Sequence, residues 1–262
     1  MIMINPIIAF ANNKGGATKT ESCKRIGIQL ASMGYRPTLV DNDPQANLTR
    51  RCGGISDHRH IGNVLGGAVP ATSRFCQAAQ VVEIEAGTAY LVAAPADLAL
   101  ENIAIGLQQR NFGRLTALAD AIEADRAYLT GPVLIDTQPN IAILTLNALV
   151  AADYVIIPAE PEPDSIEGVR TISKIIEEIR RERGRAPAIL GVIATRVDGQ
   201  LTRHRDGLKR LVMPDMPRLL GVVPARSGAD ADARLNEAYA PIARLIAGLL
   251  SLEVGDAQSL NG

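Results

Sequence analysis

No tryptophan occurs among the 262 residues, and aromatic side chains of all kinds make up only 3%. Surfaces that grip nucleic acid by stacking its bases on rings are therefore not expected. Cysteine is scarce too. Cys23, Cys52 and Cys76 have no metal-ligand spacing, and an odd number does not suggest a disulfide framework. A reducing cytoplasm suits such a chain. No apolar run reaches membrane-spanning length, and the N-terminus lacks the basic start and apolar stretch of a secretion signal, so no membrane association is expected. Neither sign of charge dominates: a formal net charge of -1 argues against a broadly basic coat and leaves room for a local basic patch. Linkers, internal repeats and low-complexity tracts are missing as well. With 47% hydrophobic and 21% charged residues, the composition is that of a globular protein. We expect one domain over 1–262, with its core at 5–250 and a flexible tail at 251–262.

What the chain does have is alternation. Short, almost continuously apolar runs at 7–11, 37–41, 89–94, 132–137, 154–159, 188–196 and 219–225 read as strands covered on both faces. Between them lie helical patterns near 19–33, 97–110, 114–128, 141–151, 165–183, 201–212 and 230–251. The pattern at 165–183 puts Ile166, Val169, Ile172, Ile175, Ile176 and Ile179 on one stripe. Residues 53–75, rich in Gly, Ser and His, read as an irregular loop. The fold class this predicts is α/β: a doubly wound, mostly parallel sheet with helices on both faces. Ligands of such sheets sit beyond the carboxyl ends of the strands. Three of those ends carry chemistry here, at Ala11 before a Gly loop, at Val40 before Asp41-Asn42-Asp43, and at Ile135 before Asp136.

The loop reads Asn13-Lys14-Gly15-Gly16-Ala17-Thr18-Lys19-Thr20-Glu21 and opens a helix. Glycines let backbone N–H groups approach phosphate oxygens, and the helix start adds partial positive charge. In this context Lys19 reaches the β- and γ-phosphates, the Thr20 hydroxyl holds Mg²⁺, and Asp136 binds the Mg²⁺ water shell.

Lys14, just before the glycines, narrows the reading. Lys-Gly-Gly-x-x-Lys-Thr resembles the deviant Walker A motif of the ParA/MinD family of P-loop ATPases. Residues 39–49 (LVDNDPQANLT) resemble that family's second motif and 133–162 its third. SIEGV at 165–169, IATRVDGQLT at 193–202 and GVVPA at 221–225 follow in family order. The resemblance covers roughly residues 5–250 and implies ATP and Mg²⁺ as cofactors. It makes Lys14 a lysine that crosses a dimer interface to the partner's nucleotide, and Asp43 the carboxylate that positions the attacking water, touching Mg²⁺ through water. Lys14, Lys19 and Asp43 are then the catalytic set, and 14–21 the cofactor-binding loop. Arg196 and Pro224 fall in the segments that line the adenine pocket in this family.

Two loop residues depart from the motif. Thr18 stands where a glycine is usual, and a β-branched residue is strained if the backbone there needs positive φ. Glu21 stands where a Thr or Ser touches the α-phosphate; a carboxylate about 6 Å from phosphate charge would cost roughly 3 kcal/mol at an effective dielectric of about 20. Gln138 and Asn140 also differ from the usual third motif. These changes threaten rate and affinity more than fold, and imply a slow ATPase.

The loop starts too near the N-terminus to leave room for a preceding helix-turn-helix domain, the last residues are not a basic amphipathic membrane helix, and cluster cysteines are lacking. What remains resembles short, Soj-type partition ATPases. That implies a homodimer in the ATP state, sequence-independent DNA binding at the nucleoid, and a ParB-like centromere-binding partner. Arg203, Arg205, Lys209, Arg210 and Arg218 are the candidate DNA contacts. The same switch could instead position a protein cargo, or bind nucleotide with little or no hydrolysis.

Overall fold

Continuous apolar runs have one stable use, as strands with both faces covered, and the computed structural model uses them that way. It describes residues 5–16, 18–55, 59–66, 71–85, 87–95, 99–226 and 230–259, with side chains of the last helix described to 249. The elements follow as β1 (Ile7–Phe10), α1 (Lys19–Ser32), β2 (Thr38–Asn42), α2 (Asn47–Arg51), α3 (Ile61–Leu65), α4 (Phe75–Ala78), β3 (Ala79–Ile84) and β4 (Gly87–Val92). Then come α5 (Ala99–Gln108), α6 (Ala117–Ala124), β5 (Val133–Thr137), α7 (Ile143–Ala151), β6 (Tyr154–Ala159), α8 (Pro163–Arg183), β7 (Ala188–Val197), α9 (Thr202–Leu211), β8 (Leu219–Pro224) and α10 (Ala231–Ser259).

The eight strands form one sheet in the order β3-β4-β2-β5-β1-β6-β7-β8, with every pairing parallel except the β3-β4 hairpin at one edge. Successive strand residues point to opposite faces, and the core divides accordingly. Ile7 and Ala9 face one cluster, shared with α5 to α8, and Ile8 and Phe10 face the other, shared with α1 and α10. On α8 the expected stripe is buried, apart from the half-buried Ile175. Each such fully buried aliphatic side chain contributes about 1.5–3 kcal/mol.

Two expectations needed correction. Residues 79–84 form an edge strand that went unread, because its Gln80 and Glu83 interrupt the apolar run; its buried residues are the alternate Gln80, Val82 and Ile84. The stretch 53–75 is more ordered than a loop: α3 lies within it and α4 begins at its end. The helix α10 runs to Ser259. Among the described residues, no helix is long and apolar enough to cross a membrane.

The topology decides where a ligand goes. Strand β5 lies between β2 and β1, with Asp136 in register with both Asp41 and Phe10. The three chemistry-bearing strand ends are therefore adjacent. Helix α8 is pressed against the loop after β1: a Cβ at Gly168 would lie 2.1 Å from Asn12 Oδ1, so only glycine permits the approach.

Candidate functional site

The loop after β1 is held from below by Asn12. Its side-chain amide donates to Pro158 O at 2.8 Å and Ser165 O at 3.4 Å, while its Oδ1 accepts from Lys14 N at 3.1 Å. Gly16 adopts φ +81, a left-handed turn that brings the chain round into α1. Thr18 also lies in the left-handed region, at φ 59 and ψ 28, and caps the helix without a side-chain bond to it. Its hydroxyl instead faces Tyr239 on α10, whose own hydroxyl lies 2.8 Å from Ser22 Oγ. The strain anticipated at Thr18 is thus present in the backbone. Thr18→Gly should stabilise the nucleotide-free protein by about 1 kcal/mol in urea denaturation, because relief of roughly 1–3 kcal/mol of left-handed strain exceeds the added chain entropy of about 0.4–1 kcal/mol. A loss of stability would mean that the Tyr239 contact outweighs the strain.

Lys19 is buried and donates to Lys14 O at 3.2 Å. Burial lowers its pKa, while the charges of Asp136 and Asp43 work to raise it. Asp136, at the end of β5, has no exposed surface, and among the described residues neither carboxylate oxygen has a hydrogen-bond partner of normal geometry. Burial above all pushes its pKa well up, with the Asp41 charge adding and the Thr20 hydroxyl opposing. Asp41 is raised to about 6, again by burial first, although Thr49 donates to it from both N and Oγ1 at 2.7 Å. The same Thr49 hydroxyl accepts from Ala94 N at 2.9 Å, fastening the second motif to the strand beyond. Asp43 turns its chain through a 2.9 Å bond from Gln45 N to Oδ1.

Three carboxylates and one ammonium are therefore coupled at one end of the pocket, Lys19 and Asp43 in its lining and Asp41 and Asp136 buried outside that lining. A buried carboxylate is the natural place for a cation's water shell. Among the described residues no three His, Cys, Asp or Glu side chains form a direct metal cage. The donor set of Thr20 with two carboxylates fits Mg²⁺, which keeps several waters and takes few protein ligands. From this end a pocket of about 390 Å³ runs past Thr195, Arg196, Val223 and Pro224 to Leu235 and Tyr239.

Residues 5–187 match the AAA domain family description AAA_31. The chromosome partitioning protein ParA of Caulobacter vibrioides is 33% identical over 212 residues, spanning 80% of this chain and 74% of that protein. The chain belongs to the ParA/MinD family of P-loop ATPases. The chromosome-partitioning ATPase Soj of Thermus thermophilus is 34% identical over 197 residues, spanning 74% and 70% of the two chains. A solved structure of cobyrinic acid a,c-diamide synthase from Mycobacterium smegmatis, with bound ATP analog and magnesium, is 30% identical with a TM-score of 0.79, covering 92% of this chain and 93% of that one.

Within this ParA/MinD-family chain, Gly16, Thr18, Lys19, Thr20, Glu21, Asp43, Arg196 and Pro224 line a single pocket. Gly15 lies in the loop against Pro139 and Ala17 lies outside the described residues. Lys14 stands apart. Its ammonium lies 3.6 Å from both Glu162 and Asp164, at the start of α8. Glu162 also meets Arg203 and His204 of α9, each at 3.6 Å. Arg196 bends back at φ 52 and pairs with Glu160 at 3.1 Å, close beside Gly16.

The five candidate DNA contacts are all exposed and lie away from the pocket. Lys209 pairs with Asp206 at 2.9 Å. Among the described residues, no carboxylate lies within ion-pair distance of Arg205, Arg210 or Arg218.

Sequence reasoning missed Arg51, Arg226, Leu235 and Tyr239 as pocket residues. The last three come from the far end of the chain, and no local pattern marks them. Arg51, on a five-residue helix, had no motif to announce it.

Proposed function

We propose that this protein is an ATP-dependent dimerising switch of the partition type, hydrolysing ATP slowly to ADP and phosphate and binding DNA without sequence preference as the ATP dimer. The observation that carries the reading is the division of the two lysines: Lys19 is buried at the phosphate end, whereas Lys14 is half-exposed and held by two carboxylates outside the pocket. A lysine needed for the molecule's own phosphates would stand where Lys19 stands. One kept at the rim is available to a second copy.

The roles follow from position. The backbone of 14–21, with the start of α1, binds the phosphates; Lys19 binds the β- and γ-phosphates; Arg196 and Pro224 flank the base. Thr20 directly, and Asp136 and Asp43 through water, would hold Mg²⁺, which supplies charge neutralisation for the phosphates. Asp43 orients the attacking water and accepts its proton. ATP would draw Lys14 from Glu162 and Asp164 across to the partner's nucleotide.

DNA binding is assigned to α9 and the turn beyond it. Of the five cations, Arg205, Arg210 and Arg218 have no carboxylate partner among the described residues, so phosphate can replace counterions there without breaking an ion pair seen in the structure. A ParB-like partner and the nucleoid complete the reading for a DNA cargo; a protein cargo would use the same switch.

The test is duplex DNA binding with and without MgATP across a salt series. Binding should require ATP and Lys19, and replacing Arg205 or Arg210 by Ala should lower the slope of log K against log salt by about 1 each. DNA binding of equal strength without nucleotide would sink the switch.

A further inference from the structure

Glu21 was expected to repel phosphate, yet it does not stand alone. Its Oε1 accepts from Arg25 Nε at 2.8 Å and its Oε2 accepts from Arg51 Nη1 at 2.5 Å. The two arginines are not equivalent. Arg25 is nearly buried and fully committed: its remaining nitrogens reach Glu85 at 3.3 Å, Asn236 at 2.9 Å and Asp232. Arg51 is half exposed, lines the pocket with Glu21, and among the described residues has Glu21 as its one ion-pair partner. A guanidinium carries five donors in a rigid fork. Among the described residues only Nη1 of Arg51 is engaged, leaving the rest of the fork uncommitted there.

We propose that Arg51 is an additional phosphate ligand of this pocket and that Glu21 is the residue that positions it. The inference rests on reading the pocket as a nucleotide site. Residue 21 stands beside the α-phosphate in that reading, so the phosphate in question is the one next to the nucleoside. Two oxygens of one carboxylate, each bonded to a different arginine, fix Arg51 through the committed Arg25 to the body of α1. With Arg25 balanced by Glu85 and Asp232, the pair facing the pocket is neutral and presents its cationic side. Guanidinium and phosphate can then make a charge-assisted contact in place of a hydroxyl's weaker one. The chemistry selects nucleotides over nucleosides.

The sign of one substitution separates this from repulsion. If Glu21 merely repels phosphate, Glu21→Thr must tighten binding of Mg-ADP. If it positions Arg51, Glu21→Thr weakens it. Titration calorimetry of the full chain should give about tenfold weaker ADP binding for Arg51→Ala, partial recovery for Arg51→Lys, and a similar loss for Glu21→Thr. The double variant should be no weaker than Arg51→Ala alone, since the two act as one unit. Adenosine affinity should not change. Arg51 is exposed enough for its variants to fold, and their melting temperatures check it. Tighter binding by Glu21→Thr, or unchanged ADP binding by Arg51→Ala in a protein where Lys19→Ala abolishes it, overturns this assignment alone. Failure of the wild-type protein to bind any adenine nucleotide overturns the nucleotide reading and this inference together.

Discussion

Asp136→Asn should raise the melting temperature of the nucleotide-free protein at pH 8 and remove the stabilisation expected from MgATP. Both halves follow from a carboxylate with no exposed surface and, among the described residues, no hydrogen-bond partner of normal geometry on either oxygen. Its pKa stands well above 3.8 in the fold, chiefly through burial. For an acid whose folded pKa is raised, the native state binds more protons than the unfolded one between the two values, so stability falls as pH climbs through that window. The penalty is the same in kind above it, where the fold must hold a buried charge. An amide removes this ionisation penalty at the cost of about 1–3 kcal/mol for its own unpaired groups. We expect relief of the ionisation penalty to prevail at pH 8, and 1 kcal/mol moves a chain of this size by roughly 2–4 °C. The advantage of the variant should shrink towards pH 5 and vanish below the unfolded carboxylate range. Asp41, raised to about 6, contributes wild-type stability lost between about pH 4 and 6 in the same sense. On the proposed reading, cation and phosphates would turn the penalty at Asp136 into binding energy in the wild type. The amide cannot, so MgATP should no longer shift its melting temperature. Thermal melts at pH 5 and 8, with and without MgATP, decide it; a variant less stable than wild type at pH 8 would mean that unseen partners satisfy Asp136.

Most of the site was legible because its signals are local. A glycine loop after an apolar strand, and an aspartate at the end of each of two later strands, need only the rule that ligands sit at carboxyl ends of parallel strands. The register of Asp41 with Asp136 then followed from strand adjacency. What could not be read depends on distance in sequence. Glu21 looked harmful because its neutralising partners, Arg25 and Arg51, are identified by side-chain direction in three dimensions. Tyr239, more than two hundred residues on, supports the first turn of α1 through Ser22. Thr18 was suspect from chemistry alone, but its left-handed dihedral is set by the whole loop. The edge strand β3 was lost for a different reason. Only one face of it is buried, so its six residues alternate, and six residues of alternation containing Gln and Glu resemble a surface turn.

Asp43→Asn should lower the rate of ATP hydrolysis by about 10²–10⁴-fold while changing MgATP affinity only a few-fold. The side chain has two separable tasks. Its Oδ1 accepts from Gln45 N at 2.9 Å and closes the turn that carries the second motif into α2. An asparagine oxygen makes the same bond, so the turn survives; alanine would lose it, at a cost of about 1 kcal/mol. Asp43 also lines the pocket together with Lys19 and Thr20. There a carboxylate can take a proton from water as it attacks, and an amide cannot. On the proposed reading, binding relies mainly on the loop backbone, Lys19 and Thr20, which the change leaves in place. The variant should therefore accumulate as the ATP-bound form, with Lys14 withdrawn from Glu162 and Asp164 and the dimer persisting. Single-turnover hydrolysis, paired with sedimentation in MgATP, reads both effects. If Asp43→Asn hydrolyses at the wild-type rate, the base lies elsewhere, and Asp41, its buried carboxylate engaged by Thr49, is too enclosed to replace it. If it neither hydrolyses nor dimerises, Asp43 serves nucleotide binding, and the link between ATP and dimerisation must then be sought at Lys14.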